Sequence, residues 1–203
     1  MLKIALTGGI ATGKSYVLDQ FRRRGVACLD ADELAHGVTA AQTEATTAIA
    51  ARFGVEMLAA DGSVDRKKLG PIVFADASAR RELEAIVHPA VHRAIAMGVR
   101  AFEMMGDRLA VVDVPLLYET GAEKNFDRVI VTTCPPAMQL ERLIKRGLTE
   151  DAAHQRLAAQ WPTEKKTSRA DVVVNTGGTF DETDAQIAQV IQLLKSDPKI
   201  LRS

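Results

Sequence analysis

Gly8-Gly9-Ile10-Ala11-Thr12-Gly13-Lys14-Ser15, GGIATGKS, follows directly on the apolar run Ile4-Ala5-Leu6. Three glycines in eight positions suit neither a strand nor a helix interior, because glycine gives up the most backbone freedom on ordering. The stretch is wanted for its backbone. A glycine, four residues, then Gly13-Lys14-Ser15 is the spacing of the P-loop, in which successive N–H groups curl round a chain of phosphates. Its lysine reaches the terminal phosphates and its serine hydroxyl holds magnesium. The pattern carries weight only where a strand feeds it and a helix leaves it. Lys3 to Thr7 offers a short apolar strand, and Tyr16 to Arg24 puts Val17, Leu18 and Phe21 on one helical face before Gly25 closes it. The helix N-terminus adds partial positive charge where phosphates would sit.

Four further runs resemble Lys3 to Thr7: Val26 to Asp30, Leu109 to Val114, Arg128 to Thr133 and Asp171 to Asn175. They are continuous and apolar, as strands buried on both faces of a parallel sheet are. Helical stretches separate them. The alternation predicts an α/β domain, a five-stranded parallel sheet flanked by helices, with ligands gathered at the carboxyl ends of the strands. Those ends carry Gly8 to Ser15, Asp30 and Asp32, Asp113 and Pro115, Thr133, and Asn175 to Gly178.

Two departures from simple alternation predict appendages. Residues 33–107 far exceed one crossover helix and read as helices over Glu33 to Phe53, Arg66 to Phe74, Ser78 to Val87 and Pro89 to Met105, with a turn at Ala60-Asp61-Gly62-Ser63. This insertion is expected to bind a second substrate. After the fourth strand, Pro135-Pro136 opens a helix bearing Arg142, Lys145 and Arg146. Gly147 and Thr149 follow, then a helix with Arg156 and Gln160 that stops at Trp161-Pro162, before Lys165, Lys166 and Arg169. Arg142 and Arg146 stand four apart on one helical face. Two helices about a glycine hinge, carrying arginines, match a lid that closes on polyphosphate. The expected division is a nucleotide-binding core at 1–32 and 108–203, with the lid at about 136–165, and an acceptor-binding insertion at 33–107.

Lys plus Arg and Asp plus Glu both total 26, so no global field collects nucleic acid or an anionic membrane. No basic segment precedes a long apolar stretch, and no apolar run approaches a membrane span, so a cytoplasmic protein with no obligate protein partner is expected. Cys28 and Cys134 lie in apolar runs without CxxC spacing, which fits reduced core thiols. His88 and His92 stand four apart, yet Pro89 follows His88 and no cysteine is near, so a helix junction is preferred to a zinc site.

A guanine-binding switch would need an Asn-Lys-x-Asp base reader and an Asp-x-x-Gly segment, and neither occurs. A partner-driving ATPase would need further hydrolysis motifs or an assembly surface. Phosphoryl transfer to a small molecule is the favoured class. Such a site must hold the donor phosphates, neutralise the moving phosphoryl group and orient an acceptor oxygen. Lys14, Ser15 with Mg2+ and the lid arginines supply the first two. Asp32 is the candidate for the third, as a carboxylate that accepts the attacking hydroxyl's proton, although capping the helix that opens at Glu33 is a rival job. Asp30 reads as structural. Asp113 ends the run Leu109 to Val112, where P-loop proteins place the aspartate that orients magnesium or its water, and it is a second candidate for the base.

Several stretches together resemble the dephospho-CoA kinase family: LTGGIATGKS at 6–15, LDADELAH at 29–36, DGSVDRKKLGPIVF at 61–74, VHP at 87–89, DVPLLYE at 113–119, QLERLIKR at 139–146, RLAAQ at 156–160 and VVNTGG at 173–178. They run in order across nearly the whole chain. The resemblance implies ATP-dependent phosphorylation of the ribose 3′-hydroxyl of dephospho-CoA, on a P-loop core with a helical CoA-binding module and a lid. It implies Asp32 as base, Gly8 to Ser15 with the following Tyr16 as the ATP loop, and Arg142 as the lid arginine on the donor phosphates. Asn175 and Gly177 fall in a segment near the adenine, and His88, Pro115 and Leu116 join Asp32 on the acceptor side. Four positions depart from the family pattern: Ala11-Thr12 replaces the more usual Gly-Ser, Tyr16 replaces a common threonine, and Gly147 stands where an acidic residue is frequent. The other candidate is a nucleoside monophosphate kinase of the same architecture, with Arg66 or Arg93 on the acceptor's phosphate.

Overall fold

The structure, a computed structural model, describes residues 1–201 of the chain. Positions 202 and 203 of the expected core range lie outside the described residues. Five strands form one parallel sheet: β1 (Leu2–Gly8), β2 (Ala27–Asp30), β3 (Leu109–Asp113), β4 (Arg128–Thr133) and β5 (Val172–Asn175). Their spatial order is β2-β3-β1-β4-β5, so β1 is central. Each predicted strand lies within a residue or two of its expected range. Leu2, Ile4 and Leu6 of β1 face one hydrophobic cluster, with Val17, Leu18 and Phe21 of α1 (Lys14–Arg23) and Ile187, Val190, Ile191 and Leu194 of a long helix near the C-terminus, Phe180–Lys195. Ala5 faces the opposite cluster with Leu117, Tyr118, Val129 and Val131. Successive strand residues point to opposite faces, which is why the run had to be apolar throughout. A side chain the size of the fully buried Phe21 contributes about 1.5–3 kcal/mol by leaving water.

Strand order decides where a ligand can go. β1 has β3 on one side and β4 on the other, with Leu6 level with Asp113 and Gly8 level with Thr132. The chain order reverses at this point, which opens a crevice beyond the carboxyl ends. The loops after β1, β3 and β4 therefore emerge side by side.

The chain divides into two compact units: Met1–Leu29 with the chain from Ala101 onward, and Asp30–Arg100. The second holds α2 (Ala31–Val38), α3 (Glu44–Phe53), α4 (Arg66–Ala75) and most of α5 (Ala77–Met104). Its core gathers Ile49, Val64 and Leu69 with Phe53, Leu83, Ile86 and Val87. Two expectations fail here. The single helix expected over Glu33 to Phe53 is two, because Thr39 closes α2 by bonding back to Ala35 O and His36 O, and Thr43 caps α3 through the Thr46 amide. The two helices expected to meet at His88 are one, since α5 runs through Pro89. A proline inside a helix removes one hydrogen bond and crowds the preceding turn. Here its exposed ring is tolerated while Leu83, Ile86 and Val87 on one side and Ala90 on the other are held by packing.

In the first unit, α6 (Pro136–Lys145), α7 (Glu150–Ala158) and α8 (Thr163–Thr167) lie between β4 and β5, and α9 (Phe180–Lys195) and α10 (Pro198–Leu201) follow. Among the described residues no helix is long and apolar enough to cross a membrane.

Candidate active site

The phosphate loop leaves β1 at Gly8 and enters α1 at Lys14. Gly8 is obligatory, since a Cβ there would collide with the side chains of Thr132 and Thr12. Gly13 caps α1 in the left-handed region at φ 84, which favours glycine. Ala11 takes φ 60, where any Cβ is strained. That strain gives a physical reason for the glycine more usual at this position. Thr12 uses its methyl-bearing side chain to stiffen the turn: it is fully buried, its Oγ1 donates to Gly9 O at 2.7 Å, and it shares a 2.7 Å hydrogen bond with Thr132 Oγ1.

The start of α1 has no side-chain cap, whereas α2, α3, α4, α7 and α9 each have one. Amides of an uncapped first turn are the groups that bind phosphate oxygens. Lys14 Nζ lies 3.2 Å from both carboxylate oxygens of Asp113. Asp113 is only 3% exposed, so its carboxylate sits in a low-dielectric setting beside that cation. Ser15 is exposed on the same turn. A serine hydroxyl, a nearby carboxylate and incoming phosphates form an all-oxygen donor set, the kind a magnesium ion takes while keeping some waters. The residues present therefore fit the metal. Tyr16, where a threonine is common, turns elsewhere: its hydroxyl donates to Asp184 at 2.7 Å and its ring meets Phe180 at 4.8 Å. The Asp184 hydrogen bond, with burial, raises the Tyr16 hydroxyl above its ordinary pKa.

Arg142 joins two of the expected nucleotide segments. It donates to Ala11 O at 3.0 Å in the loop, and to Thr176 Oγ1 and O at 3.2 and 2.8 Å. Thr176 is itself tied back to Thr12 O at 2.8 Å. Around it, Asn175 Oδ1 accepts the Gly177 amide, and Gln186 brackets the Asn175 backbone with one bond to its N–H and one from its own amide. Arg146, expected to share the Arg142 face, is more exposed than Arg142. It is the exposed residue that closes α6, just before the turn at Gly147. Arg142→Ala is therefore expected to lower turnover by about 10- to 100-fold, and Arg146→Ala by less than about threefold. Steady-state kinetics of the two variants checks this, and equal, negligible effects reduce α6 to a solvated helix.

Asp30 and Asp32 exchange one of their expected jobs. Asp30 caps α2, its Oδ1 accepting the amides of Asp32 and Glu33 at 2.8 and 3.3 Å. The side chain of Asp32 is exposed in the first turn and is not spent on capping. His88 is exposed on α5, with its ring 6.5 Å from that of His92. Pro115 and Leu116 follow β3, where Pro115 O accepts Thr7 Oγ1 at 3.2 Å. The two arginines that a nucleoside monophosphate kinase would aim at its acceptor are engaged otherwise. Arg66 donates to Ala35 O and Thr39 Oγ1 at the end of α2, and Arg93 pairs with Glu44.

Three side chains that hold the loop were not singled out for this role. Gln139 Nε2 donates to Ile10 O at 2.7 Å and Gln160 Oε1 accepts the Ile10 amide at 2.9 Å, so Ile10 is held through both backbone groups. Lys166 is fully buried against Gly8. The available signal was periodic: Gln139 lies three and four residues before Arg142 and Leu143, so it shares the buried stripe of an amphipathic helix.

The family model for dephospho-CoA kinase matches residues 2–182. A protein named dephospho-CoA kinase from Geobacillus kaustophilus is 42% identical over 192 residues, covering 94% of this chain and 96% of that protein. One of the same name from Anaeromyxobacter dehalogenans is 49% identical over 179 residues, covering 88% of this chain and 85% of that protein. Among solved structures, dephospho-CoA kinase from Campylobacter jejuni superposes with a TM-score of 0.73 at 28% identity, covering 95% and 96% of the two chains. The chain belongs to the dephospho-CoA kinase family.

Proposed function

We propose that the protein transfers the γ-phosphoryl group of ATP to the ribose 3′-hydroxyl of dephospho-CoA, giving coenzyme A and ADP, the last step of coenzyme A synthesis. The observation that carries this reading is the phosphate loop, with its uncapped helix and Lys14 beside Asp113, in a chain of this family. The acceptor oxygen attacks the γ-phosphorus, the bond from that phosphorus to the ADP oxygen breaks, and the acceptor's proton passes to Asp32. The amides from Gly8 to Tyr16 hold the β- and γ-phosphates. Lys14 neutralises charge on the group in transit, and Arg142 fixes the loop against Thr176. In such transfers positioning and charge neutralisation do most of the work. Ser15 directly, and Asp113 through water, would hold Mg2+, which when bound supplies further positive charge at the β- and γ-oxygens.

In this reading Asn175 and Gly177 flank the adenine, while Asp32, His88, Pro115 and Leu116 serve the acceptor. Residues 33–107 form the acceptor module, and 136–165 the lid of a core at 1–32 and 108–203. A cytoplasmic location, where ATP is supplied, completes it. The test is an assay of ATP with dephospho-CoA beside AMP, CMP and gluconate. Phosphate is expected on dephospho-CoA alone, with one ADP released per coenzyme A. Comparable kcat/KM on AMP or CMP would replace the acceptor with a nucleoside monophosphate.

A further inference from the structure

Lys166 stands among the largest fully buried side chains of the molecule, otherwise almost all apolar. Its ammonium has three protons to donate, and three oxygens converge on it: Glu119 Oε1 at 2.8 Å, Gly8 O at 3.4 Å and Pro115 O at 3.4 Å. These belong to different segments. Gly8 ends β1 and begins the phosphate loop; Pro115 lies two residues beyond Asp113. Glu119 Oε1 also accepts the amide of Trp161 at 3.0 Å, in the turn between α7 and α8. Burial works to raise the Glu119 carboxyl, but the bonds from Lys166 and Trp161 outweigh it and hold it below the usual range.

Two carbonyl oxygens and a carboxylate oxygen repel one another in a low-dielectric interior. A cation at their meeting point is what allows the segments to approach. A fully buried charge is costly to desolvate, and an apolar residue of similar volume often serves packing as well or better. A mere spacer between strand ends has no use for an ammonium. The mouths of β1 and β3, which it joins, are the ones that carry Lys14 and Asp113, themselves 3.2 Å apart.

We propose that Lys166, with Glu119 as its counter-ion, is a positioning residue for phosphoryl transfer: by holding Gly8 O and Pro115 O on one ammonium it sets the spacing of the phosphate loop and the Asp113 loop, and through Glu119 it ties that spacing to Trp161. The inference rests on the phosphoryl-transfer reading and adds a residue to it. Lys166 touches no reacting atom; it acts through Gly8 and Pro115.

The test separates positioning from folding. Lys166→Met alone strands Glu119 without its counter-charge and is expected to melt early. The double variant Lys166→Met/Glu119→Gln removes both charges at similar volume, and is expected to melt cooperatively near the parent. Its kcat is expected to fall about 10- to 100-fold, since small misplacements in a preorganised site cost about that much. KM for both substrates, and binding of a non-hydrolysable ATP analogue followed by the fluorescence of Trp161, the chain's single tryptophan, should stay within about threefold. Lys166→Arg is the second variant. It keeps the charge on a planar fork that cannot meet three oxygens at one point, and when folded it is expected to lose about tenfold in kcat with analogue binding unchanged. A kcat within about twofold of the parent in either folded variant overturns the proposal. Parallel loss of kcat and analogue binding overturns it too, because that is the signature of a generally damaged loop. Failure of the functional reading would show separately, as a parent protein inactive on dephospho-CoA; the same comparison would then be run on whichever acceptor the parent does phosphorylate.

Discussion

Lys14→Ala is expected to lower kcat by about 10²- to 10³-fold, the usual worth of one preorganised charge or donor at a transition state. KM for ATP should rise far less, because the amides of the loop still hold the phosphates. The structure adds a second consequence. Lys14 Nζ rests 3.2 Å from Asp113, a residue only 3% exposed, so its removal takes a counter-charge from a buried carboxylate. Breaking a buried pair of this kind costs about 3 kcal/mol or more, and the variant should melt several degrees below the parent. The two effects separate in one experiment. A titration of magnesium and ATP below the variant's melting range reads catalysis, and a thermal melt reads the pair. Activity within tenfold of the parent, measured on folded protein, would remove the lysine from the reaction and with it the assignment of the loop.

The features legible from the residues are those with a strong local cause. Gly8 and Gly13 are glycine for reasons the structure states outright, a collision and a positive φ, and both were visible as spacing alone. The strands were legible because each is apolar on both faces, which only a covered parallel sheet requires. The break between α2 and α3 was not, since part of what closes α2 lies far off in sequence. Arg66 helps to close α2 by reaching Ala35 and Thr39, and nothing near Thr39 announces an arginine 27 residues on. Pro89 misled in the other direction, because the local rule against an internal proline was outweighed by packing of the side chains around it. Within the site, residues that touch phosphate in other P-loops could be named from pattern. Those that hold the loop in place could not: Gln139, Gln160 and Lys166 reach it across more than 100 positions of sequence, and a lysine gives no sign in sequence that it will be buried.

The largest remaining contrast lies between two carboxylates. Asp32 and Asp113 both stood as candidates for the base, and their surroundings differ in a way that makes them fail differently. Asp113 is buried, and its carboxylate lies against the Lys14 ammonium. That setting suits an aspartate that orients magnesium and its water. Asp32 is exposed in the first turn of α2, and with Asp30 acting as the cap its carboxylate is not spent on capping. Asp→Asn preserves size and much of the hydrogen bonding while abolishing proton acceptance. Asp32→Asn is therefore expected to lower kcat by about 10²- to 10⁴-fold, with the magnesium requirement unchanged. Its stability should shift by no more than about 1 kcal/mol, the worth of one acidic residue at an exposed helix start. Asp113→Asn should instead raise the magnesium concentration for half activity, and its melting temperature should move because the Lys14 pair is lost. Kinetics over a magnesium series, with melts of both variants, distinguishes the two. Should Asp32→Asn remain active while Asp113→Asn is inactive at saturating magnesium, the roles are reversed, and the buried carboxylate takes the proton.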